Sequence, residues 1–188
     1  GLNFTANEIR YILALSCYEH GLMQAGNDHL TMAEGDDDVG FVARHRLMII
    51  ETYAALLAGD ISRAHDRLKT LFARFGRLPF FGSFFFWYPS GVISRLCAEA
   101  LRAGIEVDCV RELIRKRKLL PDDGFLESWP WPVKIYTLGG LRIEVEGQEI
   151  TSCKLQGKRI ALLVALIALG SFEVRAEHIA ELLWPDAE

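Results

Sequence analysis

The sequence lacks a long hydrophobic run, and this excludes a membrane-spanning protein built on helices. Its longest stretch without a charged or polar side chain, 160–169, is about half of the roughly 20 residues that a membrane-spanning helix needs. No basic segment followed by an apolar core and a small-residue cleavage site opens the chain. We therefore expect a soluble, cytoplasmic protein without a membrane partner.

Cysteine is scarce, and its placement argues against a disulfide framework or a zinc site. Cys17, Cys97, Cys109 and Cys153 are scattered and form no Cys-x-x-Cys pair. Isolated thiols of this kind are typical of buried, reduced side chains in the cytoplasm. The five histidines have no zinc-ligand spacing with them, and no His-Glu-x-x-His helix occurs. We predict no metal site.

Motifs for phosphate binding and for covalent catalysis are also missing. The pair at 157–158 is Gly-Lys, but Arg159 follows it in place of Ser or Thr, and Ser152 replaces the first glycine of a phosphate loop. No Gly-x-Ser-x-Gly elbow is present. The acidic clusters 36–38 and 122–123 lie in turn contexts, which favour solvated carboxylates. We therefore predict no catalytic residue, no cofactor and no enzyme.

The sequence has no excess of basic charge. It contains 21 Lys and Arg against 25 Asp and Glu, for a net charge of −4. Residues 1–128 carry 15 basic and 17 acidic side chains, and residues 129–188 carry 6 and 8, so each part has a net charge of −2. Because a complete DNA-binding domain neutralises phosphates with Lys and Arg, neither part has the expected charge of one.

Over its first two thirds the sequence shows a helical periodicity. Apolar residues recur at steps of three and four from about Thr5 to Lys118, without sustained strand alternation. Glycines such as Gly59, Gly76 and Gly104 stand where these segments stop. We predict helices over 6–21, 23–34, 39–58, 61–75, 89–103 and 106–118.

A faint internal repeat runs through this helical part. An offset of 38 residues places Gly21 on Gly59 and Leu30 on Leu68, and Ala64 follows the second glycine by five residues. The pattern resembles the hinge and second helix of a tetratricopeptide (TPR)-type hairpin, where a small residue lets two helices approach. The resemblance implies a TPR-like array of helical hairpins.

Two local runs allow two interpretations each. Segment 80–88 holds seven aromatic side chains, which indicates either a ligand or partner surface or a connecting segment inside the helical core. We favour the core, because seven exposed aromatics do not suit a soluble protein. The basic run 115–118 indicates either a nucleic-acid contact or a solvated helix end that complements the helix dipole, and we favour the helix end.

The last third of the sequence changes to a strand pattern. Segments 134–138 and 141–146 alternate apolar and polar residues around two glycines, 139–140. The pair 147–148 predicts a hairpin turn, followed by a short third strand at 148–151. We therefore predict a small antiparallel sheet.

Two helices are predicted after this sheet. The first, over 156–169, is apolar on all sides after Arg159, which predicts a position in a core. Segment 172–174 has the pattern of a very short strand. The second helix covers 176–183, and the Trp-Pro pair at 184–185 ends it.

These elements together resemble OmpR/PhoB-type DNA-binding domains. The likeness lies in Tyr-Thr-Leu-Gly-Gly-Leu at 136–141, Glu-Gly at 146–147 and Leu-Leu-Trp-Pro-Asp at 182–186. It is greatest to the SARP/BTAD-like subgroup, which stands at the C-terminus of large bacterial transcriptional regulators with helical repeats. The resemblance implies a winged helix-turn-helix domain whose recognition helix and wing would lie beyond Glu188. Since the chain also begins with Gly1, we expect a piece of a longer regulator.

Three cations near the start of the first of these helices are candidate contacts to the DNA backbone: Lys154, Lys158 and Arg159. Cations in the first turn of a helix oppose its dipole, and a bound phosphate reverses the sign of that effect. The equally good alternative is that these three side chains are solvated and contact no DNA. DNA binding is expected only together with the recognition helix, which carries base contacts.

The predicted architecture is mainly α. It consists of a TPR-like helical repeat domain over 1–120, a linker over 121–132, and a partial α+β winged-helix domain over 133–188 with a small antiparallel sheet plus two helices. We expect the Trp-Pro-Trp-Pro segment 129–132 to pack this sheet onto the helical part.

The expected function is that of a fragment of a DNA-binding transcriptional regulator. Its helical repeats would serve sensing or self-association, and an NTPase module upstream of Gly1 is left open. The alternative is a TPR-like protein–protein interaction scaffold that does not bind DNA. The gene sequence beyond Glu188 distinguishes the two.

Overall fold

The computed structural model describes residues 6–33, 41–75, 88–122, 124–150, 157–170 and 173–184. The chain divides into two compact units, Gly1–Pro130 and Trp131–Glu188. The described part is mainly helical with a small three-stranded antiparallel sheet, which confirms the mainly α class. The division falls inside the predicted linker, and the finer domain limits stay predictions.

The first unit consists of helices only, as far as the structure describes it. The six predicted helices are confirmed, with ends within two residues of those expected. They are α1 (Ala6–Glu19), α2 (Met23–Ala33), α3 (Phe41–Leu57), α4 (Ile61–Phe75), α5 (Ser90–Arg102) and α6 (Val107–Arg117).

Glycine turns join consecutive helices in three places, at Gly21, Gly59 and Gly104. Each glycine has a positive φ, 74°, 74° and 67° respectively, which residues with a β-carbon rarely adopt. In each turn the glycine amide donates to the carbonyl three residues earlier, and the next amide donates to the carbonyl five residues earlier. This bonding satisfies carbonyls at the helix end and reverses the chain into a hairpin.

Small residues lie where the helices of a hairpin approach each other. Ala64, in α4, is fully buried, and Leu68 and Leu71 on the same helix are equally inaccessible. Gly26, in α2, precedes Ala64 by 38 residues and lies against the ring of Tyr18 in α1. The 38-residue offset therefore relates two small residues in similar packing positions.

The end of the first unit is anchored on its helices. Trp129 is 2% exposed, and its Nε1 donates to the carbonyl of Leu119 across 3.3 Å. Arg95, in α5, donates from Nε to Asp122 Oδ2 at 2.7 Å. Residues of the predicted linker are thus held to the helical unit. The prediction that the tryptophans dock the sheet onto it concerns the arrangement of the two units and stays a prediction.

The second unit begins with the sheet, in the order β1 (Val133–Tyr136), β2 (Arg142–Val145) and β3 (Gln148–Glu149). Both strand pairs are antiparallel, with Ile135 opposite Ile143 in the first. The β2–β3 turn is Glu146-Gly147, with φ values of 51° and 77°, so the predicted turn at 147–148 is wrong by one residue. A two-residue hairpin loop favours positive φ at both positions because this matches the strand twist.

The helices α7 (Lys158–Ala168) and α8 (Ala176–Leu183) pack on each other after the sheet. The predicted core position of α7 is wrong, because Ala165 is its one buried residue. The eight-residue α8 packs on α7, and the described residues leave Leu162 and Val164 of α7 38% and 41% exposed.

The short strand predicted at 172–174 is also wrong for the two residues that the structure describes there. Glu173 has a positive φ of 48°, and neither it nor Val174 belongs to a strand. A left-handed residue interrupts the extended backbone that strand pairing needs. Phe172 lies outside the described residues.

Candidate nucleic-acid interface

The start of α7 concentrates positive charge. Gly157 precedes the helix with a φ of 96°, and no side chain caps the first amides. The first turn holds no acidic residue, while Lys158 and Arg159 are both exposed there. Free backbone N–H groups and the positive end of the helix dipole add to the two side-chain charges, so this helix end favours an anion.

Lys158 is held over an aromatic ring of the same unit. Its Nζ lies 4.9 Å from the centroid of the Trp184 ring, directly after α8. At this distance the ammonium is attracted by the electron-rich face of the indole. The contact joins the first turn of α7 to the end of α8 and orients the lysine, whose N–H groups still face solvent.

Arg159 forms no hydrogen bond or ion pair with any residue that the structure describes. Its guanidinium is exposed, and none of its five N–H donors is used by a described residue. Lys154, the third candidate, lies outside the described residues. The structure therefore brings Lys158 and Arg159 to one helix end.

A cation of the sheet is engaged within its own unit. Arg142 stacks on the ring of Tyr136, 3.9 Å from the centroid, and its Nη1 lies 3.0 Å from Glu144 Oε1. The register that pairs residues 136 and 142 across β1 and β2 explains the stacking. Sequence reasoning missed this contact, although pairing of the two alternating segments could have suggested it.

Several large apolar side chains on or directly after the two helices are exposed. On α7, Leu162 and Val164 are 38% and 41% exposed, and Leu169, directly after the helix, is 39% exposed. At the end of α8, Leu182 is 58% exposed and Trp184 is 43% exposed. Large apolar side chains gathered in a unit this small are typical of a surface that another element or molecule covers.

The basic run lies within the described residues, whereas the aromatic run lies almost wholly outside them. Of the aromatic run 80–88, only Tyr88 belongs to the described residues, and it is 7% exposed. The basic run 115–118 forms the last turn and end of α6, where Lys116 pairs with Glu112 at 2.6 Å. Cations at this position complement the negative end of the helix dipole.

No described helix combines the length and the apolar character that crossing a bilayer requires. Among the described residues, no group of three or more His, Cys, Asp and Glu side chains could hold a metal ion. No protein-family model, curated protein or solved structure matches the chain.

Proposed function

We propose that this chain is part of a bacterial DNA-binding transcriptional regulator. In this proposal the helical unit is a TPR-like arm for sensing or self-association, and the second unit is the front half of a winged helix-turn-helix domain. The order of a three-stranded sheet, a longer helix and a short second helix supports it. The sequence likeness to OmpR/PhoB-type domains at 136–141 and 182–186 supports it as well.

The observation that carries the proposal is the exposed apolar surface of α7 and α8. A helix-turn-helix domain packs its recognition helix against the two helices before it. Leu162 and Leu182 are 38% and 58% exposed, and a third helix would remove such side chains from water. Burial stabilises by about 25 cal/mol for each Å² of apolar surface, so this surface would hold a further helix in place.

The start of α7 would then contact a phosphate. Arg159 has its guanidinium uncommitted to the described residues, and the first backbone amides have no side-chain cap. These donors can bind a backbone oxygen while the recognition helix enters the major groove. Phosphate contacts of this type position a domain without reading sequence.

The experiment uses the full-length protein of the gene, titrated with genomic DNA fragments by fluorescence anisotropy over a range of salt. We expect salt-dependent, sequence-selective binding. Arg159→Gln should weaken binding about equally on all sequences and reduce the salt slope by about one. Arg63→Gln, a matched loss of an exposed arginine in the helical unit, should leave both quantities unchanged.

Two results would overturn the proposal. One is a full-length protein that does not bind DNA at low salt, and the other is binding that is indifferent to Arg159→Gln. The 188-residue chain alone should bind duplex DNA no more tightly than non-specific binding, on the order of 10⁻⁴ M or weaker at physiological salt. Tight, sequence-selective binding by this chain alone would contradict the expected role of a further helix.

The alternative scaffold function has one observation in its favour, a groove between α2, α3 and α4 that could hold a partner. The gene beyond Glu188 separates the two functions. An arginine-rich helix of about ten residues followed by a β-hairpin would support the regulator function, because these are the recognition helix and the wing that bind DNA. An unrelated domain or a stop codon supports the scaffold.

A further inference from the structure

The helical unit contains a groove of the size that small-molecule sites have. It lies between α2, α3 and the turn that leads into α4, and its cavity volume is about 310 Å³. Ligand sites of proteins span about 300–1,000 Å³, so the groove is at the small end of that range. Every residue that lines it belongs to the first unit.

Half of the residues that line the groove are apolar, and we call this part its floor: Met23, Leu30, Ala54, Ala55 and Ala58. Leu30 and Ala55 are each 7% exposed, and Ala54 lies beside them on α3. Alanines leave space between α2 and α3 that larger side chains would fill. A small apolar group could therefore rest on this floor and lose its contact with water.

Asn27 lies on the α2 side of the groove, and a hydrogen bond to the oxygen of its side-chain amide holds that amide in one orientation. The hydroxyl of Tyr18 donates to Asn27 Oδ1 at 2.8 Å, which orients the side chain. The Nδ2 group of Asn27 donates to no residue that the structure describes. An oriented N–H pair at the edge of a groove is a preorganised donor for a ligand oxygen.

The charged side chains on the opposite side of the groove differ in whether a described residue already pairs with them. Glu51 is paired with Arg67, and the Asp60 carboxylate accepts the backbone N–H of Arg63 at 3.2 Å. The guanidinium of Arg63 has no hydrogen bond or ion pair with the described residues. The Arg63 guanidinium and Asn27 Nδ2 are thus the side-chain donors of the groove that bond to no described residue.

We propose that this groove binds a small organic monocarboxylate with an apolar tail. The carboxylate accepts hydrogen bonds from Arg63 and Asn27, and the tail lies on Leu30 and the alanines. Charge-assisted bonds from a guanidinium to a carboxylate are about twice as strong as neutral ones. Asp60 at the same rim repels every carboxylate of a ligand, and Arg63 is the one cation among the residues that line the groove, so a ligand with one carboxylate fits better than a ligand with two.

Binding would also link two parts of the helical unit. The walls belong to α2 of the first hairpin and to α3 and α4 of the second, and the first hairpin packs on the second chiefly through α1. A ligand in the groove adds contacts between the hairpins. It therefore stabilises the unit by mass action, whether or not the second unit binds DNA.

The test is isothermal titration calorimetry of the 188-residue chain with isovalerate and with isovaleramide, its neutral isostere. We expect saturable one-to-one binding of isovalerate with a Kd on the order of 1 mM, which suits a ligand of about seven non-hydrogen atoms. The amide should bind about tenfold more weakly, because it cannot accept two charge-assisted bonds. A rise in Tm with isovalerate concentration should accompany binding.

Three variants locate the site. Arg63→Gln and Asn27→Ala should each weaken isovalerate binding, by about tenfold for the arginine. Ala54→Leu should abolish binding by filling the floor while leaving the circular dichroism spectrum unchanged. Arg159→Gln, which removes an exposed arginine of the other unit, should have no effect.

The proposal is overturned if isovalerate and isovaleramide bind alike, because the cation would then play no part. It is equally overturned if isovalerate does not saturate, or if Arg63→Gln and Arg159→Gln reduce its affinity to the same degree. DNA binding by the full-length protein is measured separately, so failure of this site and failure of the regulator function are distinguishable.

Discussion

The ring of Tyr18 lies against the backbone of Gly26 so closely that no β-carbon fits between them. A β-carbon built on Gly26 would lie 2.3 Å from Tyr18 Cε1. The hydroxyl of the same tyrosine donates to Asn27, one residue further along α2. The missing side chain at Gly26 therefore sets the distance between α1 and α2 and also places Asn27 at the groove.

Replacement of this glycine gives the first prediction. Gly26→Ala should destabilise the chain by about 1–3 kcal/mol through overpacking against Tyr18, although alanine favours a helix over glycine by about 1 kcal/mol. Gly91→Ala, in α5, is the control, because its β-carbon would meet Asp122 Oδ2 at 3.4 Å. Urea unfolding followed by circular dichroism measures both. Equal midpoints for the two variants would contradict the close packing.

The second prediction concerns His45, which is fully buried in α3. Burial, and then the neighbouring Arg46, lower the pKa of His45 from 6.5 to about 4. The folded chain keeps the imidazole neutral while the unfolded chain binds a proton below pH 6.5, so stability falls as the pH falls from 6.5 towards 4. The loss due to His45 should reach about 2–3 kcal/mol near pH 4.5.

The measurement compares the free energy of unfolding at pH 7 and pH 4.5 for the native chain and for His45→Gln. Carboxylates titrate in the same range and affect both proteins, so the difference between the two pH dependences isolates the histidine. We expect the variant to lose less stability on acidification. Parallel curves would show that His45 is protonated in the folded chain.

The third prediction concerns the thiols. Cys97 is fully buried, and burial raises the pKa of its thiol far above the ordinary value. Burial, and then Glu106 and Glu112, raise the pKa of Cys109 to about 11. Because the thiolate is the reactive form, iodoacetamide at pH 8 should label Cys17 before Cys109, and Cys97 only after unfolding in urea. Peptide mass spectrometry reads each site, and rapid native labelling of Cys97 would contradict its burial.

The fourth prediction follows from the exposed apolar side chains of α7 and α8. The isolated chain should associate as its concentration rises, because removing this surface from water is favourable. Leu182→Lys should reduce the association, whereas Leu120→Lys, at a leucine of the helical unit that is 68% exposed, should not. Light scattering over a concentration series gives the mass, and a strict monomer at high concentration would refute the prediction.

The helices and most strand limits were predictable because their signals are local. Glycines such as Gly21 and Gly59 end helices in a conformation that residues with a β-carbon avoid, so their positions alone mark the turns. The position of Lys158 and Arg159 in one helical turn followed from the same local reasoning. The exposure of α7 could not be predicted in this way. An apolar helix indicates that other residues pack against it, but its sequence does not show which residues do so.

The sequence by itself determined where the helices of the described chain and most of their turns lie, since periodicity and glycine act within a few residues. Only the tertiary structure decided that Tyr18 fills the space beside Gly26, that Trp129 is anchored on Leu119, and that Arg63 and Asn27 face one groove. These relations join residues that are distant in sequence or depend on which neighbours fill the surrounding space. No short-range pattern encodes them, because packing is a property of several elements at once.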